Sequence, residues 1–576
     1  MPIYQGEDLV PRYLLFLLTS LLFAAACPVT AQQSLLATLE RELSRSMRIL
    51  GRQEVAPYFL SYELTEQHDV TVQASFGALI YSNQNNTRLL DIDLRVGSYE
   101  FDNTHPMRGS YPDRSERYSW IRVPIEDDAD AIRSIIWYYT DRKYKKAIEK
   151  LAALKTNVQV KVEEEDRSAD FSREPAEIFA EAVVVPTVER SIWEEKLKRY
   201  TAPFATRDHI YQANAFFNVG TETRHYVNSE GAQVQTSQVV YRLSISAFTK
   251  AEDGMELPRY ESFAAFAPVN LPDDATVLAL VGKMIDDLEA LRRAPIISPY
   301  TGPAVLSGRA SGVFFHEVFG HRIEGHRQKR EEEGQTFKKK IDEQILPPSF
   351  SVHFDPTRKR FNGYDLLGAY SYDNQGVRAQ RVSVVENGIF KRFLMSRSPI
   401  EGFSRSNGHG RKQAARMPVA RQSNLIVETS QKLSSKALKE ALIEQCKKEG
   451  KNFGLYFEDI QGGFTLTGRN IPNAFNVLPI MVYRVYLDGR EELVRGVDLI
   501  GTPLMAFSQV ALAGDEIGVF NGICGAESGG VPVSAVSPSL LINQVEVQKK
   551  SKSQERPPIL AAPRHLPADI SLEGGS

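Results

Sequence analysis

The six residues His316-Glu317-Val318-Phe319-Gly320-His321 combine side chains that could do chemistry together. Imidazole nitrogens suit zinc, and a carboxylate beside one of them can take a proton from a water on the metal. The familiar spacing, His-Glu-x-x-His, leaves its two imidazoles about 40° apart around an ideal helix, and one further residue opens that angle to about 140°. Ligands so placed share one ion only where the helix widens by a π-type turn or ends, and Gly320 weakens it just before His321. A plainer alternative stays open on spacing alone: both His are structural, and Val313, Phe314, Val318 and Phe319 pack a core.

Neighbouring residues add to this. His326 completes the string HEVFGHRIEGH, but the helix would have to run on through Gly325 to present it, so it reads as a surface residue. Glu324 is the better candidate for an auxiliary role, orienting a ligand imidazole. Of the 3 cysteines, Cys27 lies in the apolar leader and Cys446 in a charged, helical stretch. Cys524, between glycines in NGICGAESGG, reads on its own as a small buried residue in a turn. One disulfide between Cys446 and Cys524 stays open.

These residues need elements to hold them. At 576 residues, 42% hydrophobic and 24% charged, the chain reads as an ordinary folded protein too long for one core, so two domains are expected. A net charge of -3 gives no basic excess and no reason to expect nucleic acid. Arg12, the apolar run Tyr13 to Ala26 and the small exit Val29-Thr30-Ala31 form a signal-peptide pattern over residues 1–31. Export to a periplasm or the exterior follows, with an uncleaved anchor or lipidation at Cys27 as lesser readings. The run is shorter than the roughly 20 residues a spanning helix needs, and no later stretch is long enough.

Leu36, Leu39, Leu43 and Met47 recur at helical spacing, and residues 57–80 alternate as strands. Helices are expected over about 126–155, with Ile132, Ile135, Ile136 and Tyr139 on one side, and over 273–292, with Leu278, Val281, Ile285 and Leu288. Strands are expected near 211–219 and 234–248. The segment Pro295 to Pro303 breaks the last helix and marks the domain boundary. Beyond it, Asn387-Gly388 and Asp488-Gly489 each read as a two-residue hairpin turn. The fold class is therefore α+β: a mixed α/β N-terminal domain over 32–294, a β-rich, mainly antiparallel C-terminal domain over 295–548, and a polar, disordered tail over 549–576.

Several segments together resemble the TldD/PmbA family, in its metal-bearing TldD-type form. They are SGRASGVFFHEVFGHRIEGH, YDNQGVRAQRVSVVENGIFKRFLMSR, SNGHGR, FGLYFEDIQGG, VRGVDLIGTPL and GICGAESGGVPVSAVSPSLLI, in the family's order over roughly 295–548. The resemblance implies a metal site of His316, His321 and Cys524, with Glu317 as general base. It also implies a metallopeptidase that acts on unfolded, extended peptides, and a dimer, of like chains or with a related subunit. Imidazole and thiolate ligands favour zinc over iron. The chain departs from the family in its secretion signal, in having His326 where an acidic residue is typical, and in the bulk of IPNAFNVLPIMVYRVYLDGR. The competing class is a non-catalytic exported binding protein, or the inert partner of an active peptidase subunit.

Overall fold

The computed structural model describes residues 29–106, 120–158, 166–330, 332–469, 474–550, 555–560 and 562. The expected leader, Cys27 included, lies outside the described residues as far as residue 28. Among the described residues no helix is long and apolar enough to cross a membrane.

Among the described residues, alternating apolar residues in long runs produce two large sheets. The first has seven strands, in the order Ile121–Arg122, Ala78–Val96, Pro57–Ser75, Gln212–Asn228 and Gln233–Lys250; Ile178–Ala180 and Glu256–Ala265 both pair with the last of these. Leu60, Tyr62, Leu64, Val72 and Ala74 share one face because side chains alternate along a strand. Helices Val29–Leu50 and Ala129–Val158 cover one end of that face through Leu35, Leu39, Leu43, Ile132 and Ile136. Helices Arg190–Thr201 and Asp274–Arg293 cover the other end. The Asp273 side chain caps the latter by accepting from Thr276 N at 2.8 Å. Its buried stripe is Val277, Val281, Met284, Ile285, Leu288 and Leu291, with Leu278 only half-buried.

The opposite face of the sheet meets the second half of the chain. Glu63 and Asp91 are cross-strand neighbours there, and both pair with the buried Lys412, at 2.8 Å for Glu63. Removing one partner of such a group would strand buried charge, so the pairing ties the two halves in one relative register. Ile480 and Met481 of the second half also pack into the first half's core.

The second sheet has eleven strands and one hub, Gly529–Lys549. Five strands pair in a closed circuit: Gly529–Lys549, Val497–Gly501, Phe475–Tyr486, Phe453–Thr465, and Tyr300–Leu306, which returns to the hub. Asn424–Thr429, Phe350–Phe354 and Val382–Glu386 extend the sheet from the hub by a parallel and then antiparallel pairings. Val510–Ala526 folds back on the hub as a long hairpin. The chain is thus α+β, with predominantly antiparallel pairing. Asn387-Gly388 forms the expected two-residue turn, both residues at positive φ. Asp488-Gly489 does not: Tyr486 N bonds Arg490 O across a three-residue loop in which Gly489, not Asp488, takes positive φ. The extra residue makes this a type I turn with a bulge, the other common hairpin solution.

Helix Gly308–Val318 lies inside this second half, buried at every position except Arg309. Ser307 caps it by accepting from Ala310 N. Its approach to the sheet depends on glycine, since a Cβ at Gly308 would fall 2.1 Å from Gly518 N. The stretch after Lys549, expected to be a disordered tail, meets the first half at residues 555–556, where Glu555 pairs with Lys250 at 2.8 Å and Arg556 donates to Glu252 O.

Candidate metal centre

The helix that carries His316 and Glu317 ends at Val318, and a 3₁₀ turn, Gly320–Ile323, carries His321. Of the two ways to bring the imidazoles together, the chain uses helix termination and not a π-type turn. Gln422 supports the termination: its Nε2 donates to the His316 carbonyl at 3.3 Å, one of the acceptors a helix end leaves unpaired. Gly320 is required here for closeness, since a Cβ would fall 1.9 Å from Gln422 Oε1. The two rings stand 5.0 Å apart between centroids, at 80° to each other.

Cys524 comes from the far side. It sits near the end of strand Val510–Ala526, paired with Val531 of the hub, and its Sγ is 3.3 Å from His321 Nε2. His316, His321 and Cys524 each offer a ligand atom within 4.8 Å of the others, and all three are buried. Cys446 and Cys524 are both free, so no disulfide competes for the thiol. Two nitrogens and a sulfur at this separation are a donor set suited to zinc, with room for a fourth ligand. Glu317 Oε2, buried and without a hydrogen-bond partner among the described residues, lies 4.0 Å from His321 Nε2. The residues therefore fit a metal with a carboxylate beside it.

Electrostatics agree with that fit. Burial opposes ionisation of Cys524, but His321 and His316 outweigh it and hold the thiol well below its ordinary value. Burial likewise opposes charge on His321, and Cys524 with Glu324 reverses this, raising the imidazole. Glu324 is pulled down to about 2, against its own burial, by Arg327 and His321. Its Oε2 stands 3.5 Å from His321 Nδ1, the place the sequence suggested for a residue orienting an imidazole.

His326 needs correction. The sequence placed it on the surface, yet it is 5% exposed, and its Nε2 meets Glu527 Oε1 at 2.5 Å. The chain turns after the 3₁₀ segment and starts a new helical turn, His326–Lys329, directed inward. Burial lowers its pKa, against the pull of the Glu527 carboxylate. Arg327, Glu527, Arg421 and Gln422 were not singled out from sequence at all. Their spacing carries no signal, because they reach the site from three distant segments, at Arg327, Arg421-Gln422 and Glu527.

Above these groups lies a cleft of about 460 Å³. Gln461–Thr465 forms one wall and Phe520–Ala526 the other, with Val313 and Val533 also lining it. Among the described residues, Asp459–Thr465 pairs on one side only, with Phe475–Tyr486, and Phe520–Ala526 only with the hub. Each wall therefore presents an open strand edge. A Cβ at Gly462 or at Gly525 would meet nothing within 4 Å.

Comparison with known proteins fits this arrangement to a family. Residues 299–549 match the PmbA/TldA metallopeptidase C-terminal domain. Over this stretch the chain is similar to the TldD/PmbA family. A metalloprotease of Archaeoglobus fulgidus is 30% identical over 238 residues, 41% of this chain and 51% of that protein. A zinc metalloprotease TldD homolog of Saccharolobus solfataricus is 24% identical over 252 residues, 42% of this chain and 51% of that protein. The chain spans about half the length of these two curated relatives. Among solved structures, TldE from Thermococcus kodakarensis superposes with a TM-score of 0.57 at 12% identity, covering 89% of this chain and 100% of that one. A putative modulator of a DNA gyrase from Thermotoga maritima gives 0.58 at 16%, covering 88% and 99%. Such identities speak for the TldD/PmbA fold across both halves and for nothing finer. His316, Glu317, His321 and Cys524 all fall within the matched TldD/PmbA segment.

Proposed function

We propose that this chain is an exported, zinc-dependent peptidase that hydrolyses extended segments of unfolded polypeptide. The observation that carries the reading is the convergence of His316, His321 and Cys524 within 4.8 Å, beside Glu317, whose Oε2 has no hydrogen-bond partner among the described residues, at the base of a cleft. Zinc held by these three residues would supply Lewis acidity toward a peptide carbonyl and toward water. Glu317 is the general base and later the general acid, because its Oε2 has no other partner and faces the same space. Gly463 leaves room for that side chain, since a Cβ there would fall 2.7 Å from Glu317 Cγ.

The cleft walls favour a substrate in extended form. Open backbone edges at Gln461–Thr465 and Phe520–Ala526 can pair with an added strand, and the bare Gly462 and Gly525 leave it space. Folded domains present few such free segments. The names of the relatives, metalloproteases and in one case a zinc metalloprotease, support the chemistry. The charge, apolar run and small-residue exit of residues 12–31 support export. Assembly as a dimer, with a like chain or a related subunit, is what the TldD/PmbA resemblance implies.

The test pairs metal analysis with hydrolysis of an unstructured protein such as reduced, alkylated casein. Purified chain should carry about one zinc and cleave it, and Glu317→Gln should keep the zinc and stop cleaving. Full hydrolysis by that variant would sink the proposal.

A further inference from the structure

One side chain that takes no part in the ligand set touches it from two directions. Arg421 is fully buried, at 0% exposure. Its Nη2 donates to Cys524 Sγ at 3.2 Å and to the Cys524 carbonyl at 2.6 Å. Its Nη1 is anchored on Ser528 Oγ at 2.7 Å and on Gly529 O at 3.0 Å, within the turn that follows Cys524. Its Nε lies 3.3 Å from Glu324 Oε1, and the other oxygen of that carboxylate faces His321 Nδ1. The planar fork of one guanidinium therefore joins a sulfur ligand and a nitrogen ligand that come from opposite sides of the domain.

We propose that Arg421 is a positioning residue for the metal centre, holding the Cys524 sulfur toward the imidazoles and, through Glu324, fixing the tautomer of His321. This rests on the metal-centre reading given above. Glu324, which accepts from Arg327 Nε at 2.9 Å and is ion-paired with Arg421 at 3.3 Å, is an acceptor, so His321 carries its proton on Nδ1. That leaves the Nε2 lone pair for the ion, on the side where Cys524 Sγ stands at 3.3 Å. A guanidinium donating to the sulfur also withdraws electron density from it. The ion then receives less charge from its thiolate and keeps more Lewis acidity. Lysine could not reproduce this, because a single ammonium cannot reach the sulfur, the Ser528–Gly529 turn and Glu324 together.

The test uses the full chain loaded with cobalt(II) or with zinc. In the parent protein, cobalt should show a near-ultraviolet sulfur-to-metal charge-transfer band. Arg421→Met should shift that band and weaken zinc about 10- to 100-fold, the usual effect of losing a group that orients a ligand. Arg421→Lys should recover part of the affinity but not the band position. A folded Arg421→Met chain with the parent band and affinity overturns the proposal. If that variant does not fold, Ser528→Ala removes one anchor of the guanidinium, and an unmoved band there overturns it equally. A parent chain that binds neither ion overturns the metal-centre reading and this proposal together, which separates the two failures.

Discussion

Cys524 Sγ stands 3.3 Å from His321 Nε2, although the two residues are 203 positions apart in the chain. The hub strand makes this possible: it pairs with the strand that carries Cys524 while also packing against the helix that carries His316. Cys524→Ser should therefore lose metal without losing the fold. Elemental analysis should fall well below one ion per chain while far-ultraviolet circular dichroism stays unchanged. Full metal occupancy in the variant would remove Cys524 from the ligand set.

Glu317 contributes through its free carboxylate oxygen. Glu317→Gln should lower kcat by about 10²- to 10⁴-fold, the usual contribution of general acid-base catalysis. Metal content should not change, because the residue is not one of the three ligands.

Gly462 and Gly525 have open space where a side chain would sit. Valine at either position should change folding stability by no more than about 0.5 kcal/mol, as for most exposed sites, and should leave the metal in place. Hydrolysis of polypeptide should nevertheless fall sharply, through occlusion of the cleft. Unchanged turnover in both variants would place the substrate elsewhere.

Gly308 behaves oppositely. Its would-be Cβ meets the backbone of Gly518 at 2.1 Å, and backbone cannot rotate aside. Gly308→Ala should destabilise the chain by about 1–3 kcal/mol or more, the range for overpacking a core. Urea unfolding of the variant beside Gly282→Ala, where nothing lies within 4 Å, makes the comparison within one protein.

His409 links stability to pH. Burial holds it neutral, with a pKa lowered to about 3, while its Nδ1 donates to Asn407 O at 3.1 Å. An unfolded chain protonates near pH 6.5 and the folded chain only near 3, so this contribution is complete above 6.5 and is lost as pH falls. The slope is about 1.4 kcal/mol per pH unit. Urea midpoints measured from pH 7 to 4.5 should fall less steeply in His409→Gln than in the parent. Equal slopes would show that His409 titrates normally in the fold.

What the sequence determined by itself was local or repetitive. Helix Asp274–Arg293 was legible from its apolar stripe, and the Asn387-Gly388 hairpin from a dipeptide that tolerates positive φ. HEVFGH marked a possible ligand pair because its residues lie within six positions. Its family frame, over roughly 295–548, pointed to Cys524. The tertiary structure decided how His321 comes round, by ending the helix against Gln422, a residue about a hundred positions away. It also decided that His326 is buried on Glu527, that Asp488-Gly489 needs a longer loop, and that Arg421 spans two ligands. The physical reason is the same in each case. Periodicity and caps are interactions between near neighbours, which sequence spacing records. The partners of a buried charge or a helix end are chosen by which distant strands pack there, and spacing holds no record of that.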